Sequence, residues 1–358
     1  MAGKSSTESE DIMIKVSGVW KIFGAEADAA LAAIQKDGLG KAEVLENFHA
    51  VVGVADVNLE IPRGEIFCVM GLSGSGKSTL VRHFNRLLEP TAGSIEIEGT
   101  DVMGLDQQKL RDFRNRKIGM VFQNFALLPH RSVLDNVAMP LDIRRISKHE
   151  RMRQAAKILD IVELSAWGNK FAHELSGGMQ QRVGLARALA ADPDVLLMDE
   201  PFSALDPLIR RQLQDEFIGL SKVMNKTTVF ITHDLDEAVR VGHQIAIMRD
   251  GRVVQIGTAE EIVMNPADDY VADFVAGISR LKVVRAHAVM NPIEKFKSEG
   301  GKISKSNLRI NEGESLSTII QKAIDDDAPI VVEDGGTDVG VITRADVLRT
   351  VIEGTEVS

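Results

Sequence analysis

A glycine-rich segment contains the first residues whose types and spacing point to chemistry. Residues Gly71–Thr79, with the sequence GLSGSGKST, fit the pattern G-x-x-x-x-G-K-[ST] and lie between a predicted strand and a predicted helix. Glycines let the backbone wrap closely around phosphate groups, and the N-terminus of the following helix favours an anion. The pattern predicts a loop that holds a nucleoside triphosphate; the alternative is a flexible glycine turn that happens to contain a lysine.

The side chains of this loop have different predicted roles. We expect Lys77 to reach the β- and γ-phosphates of ATP and to act in catalysis, and the Ser78 hydroxyl to ligate Mg²⁺. The other predicted ATP-binding residues are Gly71, Leu72, Ser73, Gly74, Ser75, Gly76 and Thr79. ATP and Mg²⁺ are therefore the predicted ligands.

An acidic pair follows the apolar run VLLM and forms a second candidate element. Asp199 lies where a strand would end, so its carboxylate could hold Mg²⁺ through water beside the phosphate loop. Glu200 could act as a general base toward an attacking water. Taken alone, an acidic pair after a strand also fits a helix cap or a solvated loop.

The segment LSGGMQQR, which begins at Leu175, resembles the signature sequence of ABC ATPases. Ser176, Gly177 and Gly178 at a helix N-terminus would offer a hydroxyl, bare N–H groups and a favourable dipole to an anion, and the resemblance adds Gln180. An ordinary helix cap is the alternative. The position of the segment, between the phosphate loop and Asp199, favours the signature.

The resemblance implies roles for four more residues. Gln123 matches the loop glutamine that contacts Mg²⁺ and reports nucleotide state, and Asp206 matches the D-loop that crosses between two subunits. His233 matches the switch histidine that contacts the γ-phosphate, and Phe23 matches the aromatic residue that stacks on adenine. By themselves these residues also fit a surface glutamine, a structural histidine and a core aromatic, and Trp20 competes with Phe23 for the stacking role.

Short apolar strands alternate with helical segments along the chain, which predicts an α/β fold with a mainly parallel sheet covered by helices. These strands are predicted at Lys117–Phe122, Val195–Met198, Thr228–Thr232 and Gln244–Met248, with another at the run IFCVM before the phosphate loop. An Ala-rich stretch predicts an inserted helical hairpin at about residues 25–50. The resemblance implies an ABC-type P-loop NTPase domain with a RecA-like core, an N-terminal antiparallel β subdomain and a helical subdomain.

The last part of the chain differs in charge from the rest. Residues 281–310 contain seven Lys/Arg and two Asp/Glu, whereas residues 311–358 contain three and eleven. We therefore expect an ATPase domain at 1–280 and a small α+β regulatory region at 281–358. Residues 311–354 resemble a single CBS module, and its partner is not evident; a basic linker and an acidic module could respond to salt, or the tail could be structural.

Longer similarities, such as GEIFCVMGLSGSGKSTLVRHFNRLLEPT, identify the chain as a member of the ATPases of quaternary-amine importers for glycine betaine, choline or proline betaine. The family implies a head-to-tail dimer, integral-membrane permease subunits, a substrate-binding protein and a peripheral position at the cytoplasmic face of the bacterial inner membrane. Phe125–His130 and the segment after it could contact the permease or belong to the core. An importer for histidine or another amino acid is the first alternative, and a non-transport ABC ATPase the second.

Bulk properties set outer limits on function. The net charge of −10 argues against nucleic acid as a partner, because proteins that hold nucleic acid usually carry a basic surface. The longest apolar runs are far shorter than a membrane span, and the only cysteine, Cys68, has no partner for an intrachain disulfide.

Overall fold

The computed structural model describes residues 11–123, 125–298, 300–304, 306–325 and 327–352, and the chain divides into two compact units between Ile256 and Gly257. The strands of the first unit are β1 (Ile12–Phe23), β2 (Val51–Pro62), β3 (Ile66–Met70), β4 (Ala92–Ile97), β5 (Thr100–Asp101), β6 (Ile118–Val121), β7 (Val195–Asp199), β8 (Thr227–Ile231), β9 (Gln244–Arg249) and β10 (Arg252–Gly257). Its helices are α1 (Ala27–Asp37), α2 (Lys41–Phe48), α3 (Lys77–Phe84), α4 (Gln107–Lys117), α5 (Val133–Ile143), α6 (Lys148–Ile161), α7 (Gly177–Leu189), α8 (Pro207–Met224) and α9 (Leu235–Val241), with short 3₁₀ helices at Ser165–Trp167 and Ala172–Glu174.

A six-stranded sheet with the order β10-β9-β3-β8-β7-β6 forms the centre of this unit. Strands β9, β3, β8, β7 and β6 run parallel to one another. Every residue of β3, β7 and β8 is buried, as is typical of a parallel sheet covered on both faces. The phosphate-loop segment follows β3, and Asp199 ends β7. Since parallel strands end at the same edge of a sheet, this order brings the predicted site residues together.

A second, four-stranded sheet with the order β2-β1-β4-β5 has antiparallel pairs throughout. One apolar cluster joins the two sheets and includes Val16 and Val57 of the antiparallel sheet and Phe67 and Leu197 of the parallel one. The predicted α/β fold class is thereby confirmed, including the antiparallel subdomain near the N-terminus.

Helices α5, α6 and α7 pack around a core of their own, which includes Val137, Leu159 and Val183. Ser132 caps α5 by accepting a hydrogen bond from the Asp135 N–H at 3.1 Å, in the manner that orients a helix start. Leu127 packs against the same core, so this residue of the proposed permease contact lies partly in the interior.

Helices α1 and α2 occupy the stretch for which the sequence predicts an inserted hairpin. Gly38 ends α1 with φ 71°, a left-handed conformation that suits glycine. Ala30 and Val44, one from each helix, pack with Trp20 in a small cluster beside the antiparallel sheet. The insertion is therefore fixed by burial of its own apolar residues.

The second unit consists of α10 (Ala259–Met264), α11 (Asp269–Val275), α12 (Arg280–Val283), α13 (Ala286–Val289), β11 (Asn291–Pro292), α14 (Ile293–Ser298), β12 (Arg309–Asn311), α15 (Leu316–Asp325), β13 (Ile330–Asp334), β14 (Thr337–Ile342) and α16 (Arg344–Ile352). Its sheet has the order β11-β14-β13-β12, with β12 and β13 parallel and the other pairs antiparallel. Its core includes Val284, Ile319 and Val332. Residues 326, 353 and 354 of the predicted CBS-like segment lie outside the described residues.

The unit boundary lies at 256/257 rather than at the predicted 280/281. Glu260 accounts for part of the difference, because its carboxylate accepts a hydrogen bond from the Arg285 N–H at 2.7 Å and lies 3.0 Å from His287 Nε2. Met264 also packs against the core of the second unit. These contacts join residues 257–280 to the C-terminal unit, a connection that the charge pattern does not reveal.

Candidate active site

The phosphate-loop segment has a backbone that only glycine adopts without strain. Gly71 has φ 147° and Gly76 has φ 101°, and a Cβ would lie 2.2 Å from the Met248 carbonyl oxygen at the first position and 2.3 Å from the Gly53 carbonyl oxygen at the second. Gly74 also has a positive φ of 79°. The three glycines thus give the close-wrapped path on which phosphate binding by backbone N–H groups depends.

Lys77 lies inside this loop. Its Nζ donates hydrogen bonds to the carbonyl oxygens of Gly71 at 2.8 Å and Leu72 at 3.0 Å, and the residue is 6% exposed. Burial lowers the pKa of the ammonium, while the nearby carboxylates of Glu200 and Asp199 oppose that shift. The carbonyl groups of the loop itself therefore hold the lysine ammonium.

The tip of the loop is open, whereas its base is enclosed. Leu72, Ser73 and Gly74 are exposed, and Ser75 is 4% exposed. The Ser75 hydroxyl has no hydrogen-bond partner among the described residues, and Thr79 is half-buried in the first turn of α3. A buried hydroxyl without a partner at the base of the loop is a donor that a phosphate oxygen could satisfy.

Ser78 and Asp199 form the candidate metal site. The Ser78 hydroxyl donates a hydrogen bond to Asp199 Oδ1 at 2.8 Å, and an Arg82 nitrogen lies 3.6 Å from Asp199 Oδ2. One hydroxyl and one carboxylate fit Mg²⁺, which prefers oxygen ligands and usually keeps several waters and substrate phosphates in its coordination shell. The donor set therefore suits the predicted ion.

Glu200 is the meeting point of the other catalytic candidates. Its Oε2 accepts a hydrogen bond from Gln123 Nε2 at 3.3 Å and lies 3.1 Å from His233 Nδ1. The Glu200 backbone is left-handed, with φ 46°, and its N–H donates to the Ile231 carbonyl at 3.1 Å. Ser203 Oγ donates to the Glu200 carbonyl at 3.0 Å. Two side chains predicted from separate motifs, Gln123 and His233, thus contact one carboxylate.

The signature residues lie at the start of α7, apart from this hydrogen-bonded group. Ser176 Oγ accepts from the Met179 N–H at 3.4 Å, and Gln180 Nε2 donates to the Leu175 carbonyl at 3.2 Å. Gly177 is exposed and Gly178 is half-buried. The signature therefore forms a capped helix N-terminus at the surface.

Asp206, the predicted D-loop residue, also caps a helix. Its Oδ1 accepts from the Ile209 N–H at 3.1 Å at the start of α8. The structure places this carboxylate by local geometry and gives it no hydrogen bond to Glu200 within the part of the chain that is described.

The two aromatic candidates for adenine stacking differ in exposure. Phe23 ends β1 and is 40% exposed, with Lys21 Nζ 5.2 Å from its ring centroid. Trp20 is 7% exposed and packs in the cluster that includes Ala30 and Val44. Phe23 is the more exposed of the two rings, so the geometry favours it over its competitor as a stacking surface for a base.

Arg187 is a residue of the site that sequence reasoning missed. It lies in α7 and is 6% exposed, and its guanidinium donates to the carbonyl oxygens of Ala126 at 2.6 Å and Phe125 at 2.8 Å. Both of these residues have positive φ, 55° for Phe125 and 50° for Ala126. Burial lowers the pKa of the guanidinium. The sequence does contain a signal for this residue, because Arg187 lies within the apolar stretch GLARAL and a buried arginine needs hydrogen-bond acceptors.

This arrangement defines a class of protein. A glycine-rich phosphate loop after one parallel strand, a metal-type carboxylate at the end of another and a Glu–His pair beside them constitute a P-loop ATPase. Among the described residues no helix is long and apolar enough to cross a membrane.

Comparison with known proteins narrows the class. Residues 54–203 match the model of the ABC transporter family. The glycine betaine transport ATP-binding protein OpuAA of Bacillus subtilis is 49% identical over 296 residues, 83% of this chain and 71% of that protein. The trimethylamine N-oxide transport system ATP-binding protein TmoW of Ruegeria pomeroyi is 43% identical over 95% of this chain and 97% of its own length. A solved dimeric ATP-binding cassette with bound ADP and Pi is 33% identical over 69% of this chain and 99% of its own, with a TM-score of 0.58.

The chain belongs to the family of ATP-binding subunits of ABC transporters. The prediction of an ATP-binding and ATP-hydrolysing transport subunit is confirmed by the family model and by these relatives.

Proposed function

We propose that this chain powers the uptake of a small solute with a fully substituted nitrogen, such as glycine betaine, choline, proline betaine or trimethylamine N-oxide. The observation that carries the proposal is similarity along nearly the whole chain, both units included, to proteins named for such solutes. An importer for histidine or another amino acid would use the same catalytic residues, but this full-length similarity disfavours it.

Uptake in a strain that lacks the chromosomal copy of this gene tests the proposal. The strain would receive the wild-type chain or, as a matched control, Glu200→Gln. We expect labelled glycine betaine, choline, proline betaine or trimethylamine N-oxide to enter only with the wild-type chain, and unlabelled histidine not to compete. Competition by histidine and none by the four solutes would assign the amino-acid alternative.

For hydrolysis we propose the following roles. Lys77 and the loop N–H groups bind the β- and γ-phosphates, Phe23 stacks on adenine, and Ser78 with Asp199 holds Mg²⁺, Asp199 through water. When bound, Mg²⁺ neutralises charge on the phosphate oxygens. Glu200 accepts the hydrogen bond or proton of the attacking water. His233 and Gln123 both contact the Glu200 carboxylate and orient that side chain.

We also propose that two copies act together, head to tail, so that each ATP lies between the phosphate loop of one copy and Ser176, Gly177, Gly178 and Gln180 of the other. The exposure of Ser176 and Gly177 supports this arrangement. In it, Asp206 would lie at the crossing between copies. Neither half-site would complete catalysis alone, which couples hydrolysis to closure.

The proposed assembly includes integral-membrane permease subunits and a substrate-binding protein, with this chain at the cytoplasmic face of the bacterial inner membrane. The segment Phe125–His130 is the proposed permease contact, because Phe125 and Leu128 remain half-exposed.

The C-terminal unit is proposed to regulate the ATPase as a CBS-like module. Its β12–α15–β13–β14–α16 order, with a parallel and an antiparallel pair, supports the assignment. If its opposed charges sense ionic strength, deletion of residues 281–358 should remove the salt dependence of transport. An unchanged dependence would leave the unit a structural role.

A further inference from the structure

A cavity of about 300 Å³ lies within the first unit, between α7, α8 and the end of α6, apart from the phosphate loop. Its walls are mainly apolar and include Leu185, Met198, Phe202, Leu213 and Phe217. Pockets that hold small organic ligands begin at about this size.

One polar side chain interrupts this apolar lining. Gln181, on α7, is 2% exposed, and neither its Nε2 nor its Oε1 has a hydrogen-bond partner among the described residues. Leaving a buried amide unpaired costs free energy, and natural interiors nearly always provide partners. An occupant with both a donor and an acceptor would satisfy the two atoms at once.

The mouth of the cavity limits the charge of an occupant. Arg182 lies there but is already engaged by Glu216 at 2.6 Å and Glu163 at 3.4 Å. Two carboxylates share one guanidinium, so the local net charge is negative and disfavours an anionic occupant. The mouth also carries exposed apolar side chains, Val223 and Ile161.

We propose that this cavity is a binding site for a small neutral molecule of about ten non-hydrogen atoms, with an apolar body and a carboxamide group. The apolar body lies against Phe202, Leu213 and Phe217, and the carboxamide pairs with the Gln181 side chain, donor to acceptor and acceptor to donor. The site is independent of the transported solute, and its test requires neither nucleotide nor transport.

The probe is 4-fluorobenzamide, titrated against the full chain and followed by ¹⁹F NMR, with 4-fluorotoluene as the probe that lacks the amide. Gln181→Leu keeps the side-chain volume and removes the amide. It should weaken the binding of 4-fluorobenzamide at least tenfold and change the affinity for 4-fluorotoluene less than twofold. Gly219→Leu should abolish binding of both, because Gly219 lines the cavity on α8 and a Cβ there meets no heavy atom within 4 Å.

Leu208→Ala is the matched control, since Leu208 is 77% exposed on the same helix and lies outside the cavity. It should bind both probes as the wild type does. Absence of 4-fluorobenzamide binding to the wild type, or equal binding to Gly219→Leu, would overturn the proposal. Thermal melts of each variant establish folding; the Gly219 arm stands even if Gln181→Leu does not fold.

Discussion

The phosphate-loop side and the signature side of the candidate active site are built in different ways. On the phosphate-loop side, side chains from segments that are distant in the sequence contact one another: Ser78 donates a hydrogen bond to Asp199, and Glu200 contacts His233. On the signature side, Ser176 bonds within its own helix and remains exposed. The fold of one chain thus assembles the first side, whereas the second is a prepared surface. The difference is the one expected if, as proposed, a second copy completes the site.

One residue connects the two sides inside a single chain. Arg187 lies on α7, the helix that begins at the signature, and it binds the backbone of Phe125 and Ala126, two and three residues after Gln123. A shift of α7 would therefore move the glutamine that contacts Glu200.

The largest effect is expected on the assembled side. Glu200→Gln removes the proposed base but keeps its size, so ATP turnover should fall by about 10²–10⁴-fold while ATP affinity is retained. Steady-state turnover and nucleotide binding, measured on the same preparation, separate the two quantities. Glu60→Gln, on an exposed ion pair with Lys15, is the control and should keep full turnover. Unchanged turnover in Glu200→Gln would remove the assigned role.

A smaller effect, a fall of about 10²-fold in ATP turnover, is expected on the signature side. This size is typical of losing a hydrogen-bond donor to a transition-state anion. Ser176→Arg places a large side chain where the other copy's nucleotide would lie, so turnover should fall while each chain still binds ATP. Ser165→Arg, also exposed in the helical part, is the matched control. Loss of ATP binding by the isolated Ser176→Arg chain would contradict the division into two sides.

Arg187 tests the connection between the sides. Arg187→Leu leaves two carbonyl oxygens without their donor, which should cost about 1–3 kcal/mol of unfolding free energy. Turnover should fall about tenfold, which corresponds to about 1.4 kcal/mol of lost transition-state stabilisation. Arg187→Lys should recover part of the unfolding free energy and part of the turnover. Urea denaturation and turnover at saturating ATP give the two numbers. Normal turnover in a destabilised Arg187→Leu chain would assign the residue a purely structural role.

The smallest effect concerns nucleotide affinity. Phe23→Ala should raise the KM for ATP about five- to tenfold without lowering kcat, because base–aromatic stacking contributes about 1–3 kcal/mol. Trp20→Phe, a change in the buried neighbour, should lower stability and leave the KM unchanged. The reverse pattern would transfer the stacking role to Trp20.

Local sequence patterns predicted much of this molecule because the relevant physics is local. The apolar runs of β3, β7 and β8 and the glycines of the phosphate loop carry their structural requirements in adjacent residues. Arg187 and Gln181 were missed because their roles depend on contacts with distant segments. The contacts of Glu260 with Arg285 and His287, which connect residues before 281 to the second unit, also join distant segments and leave no local signal.

The central claim is that each active site combines the phosphate loop of one copy with the signature of the other. Mixing full-length Lys77→Ala and Ser176→Arg chains, each inactive alone, tests it most directly, with a Lys77→Ala, Ser176→Arg double variant mixed with wild type as the converse. The account predicts that a mixture of the two single variants recovers ATP turnover, because their mixed dimer contains one intact site. It also predicts that mixed dimers of the double variant with wild type contribute no turnover. No recovery from the single variants, with half-activity in the mixed dimers of the converse, would place the whole site within one chain and contradict it.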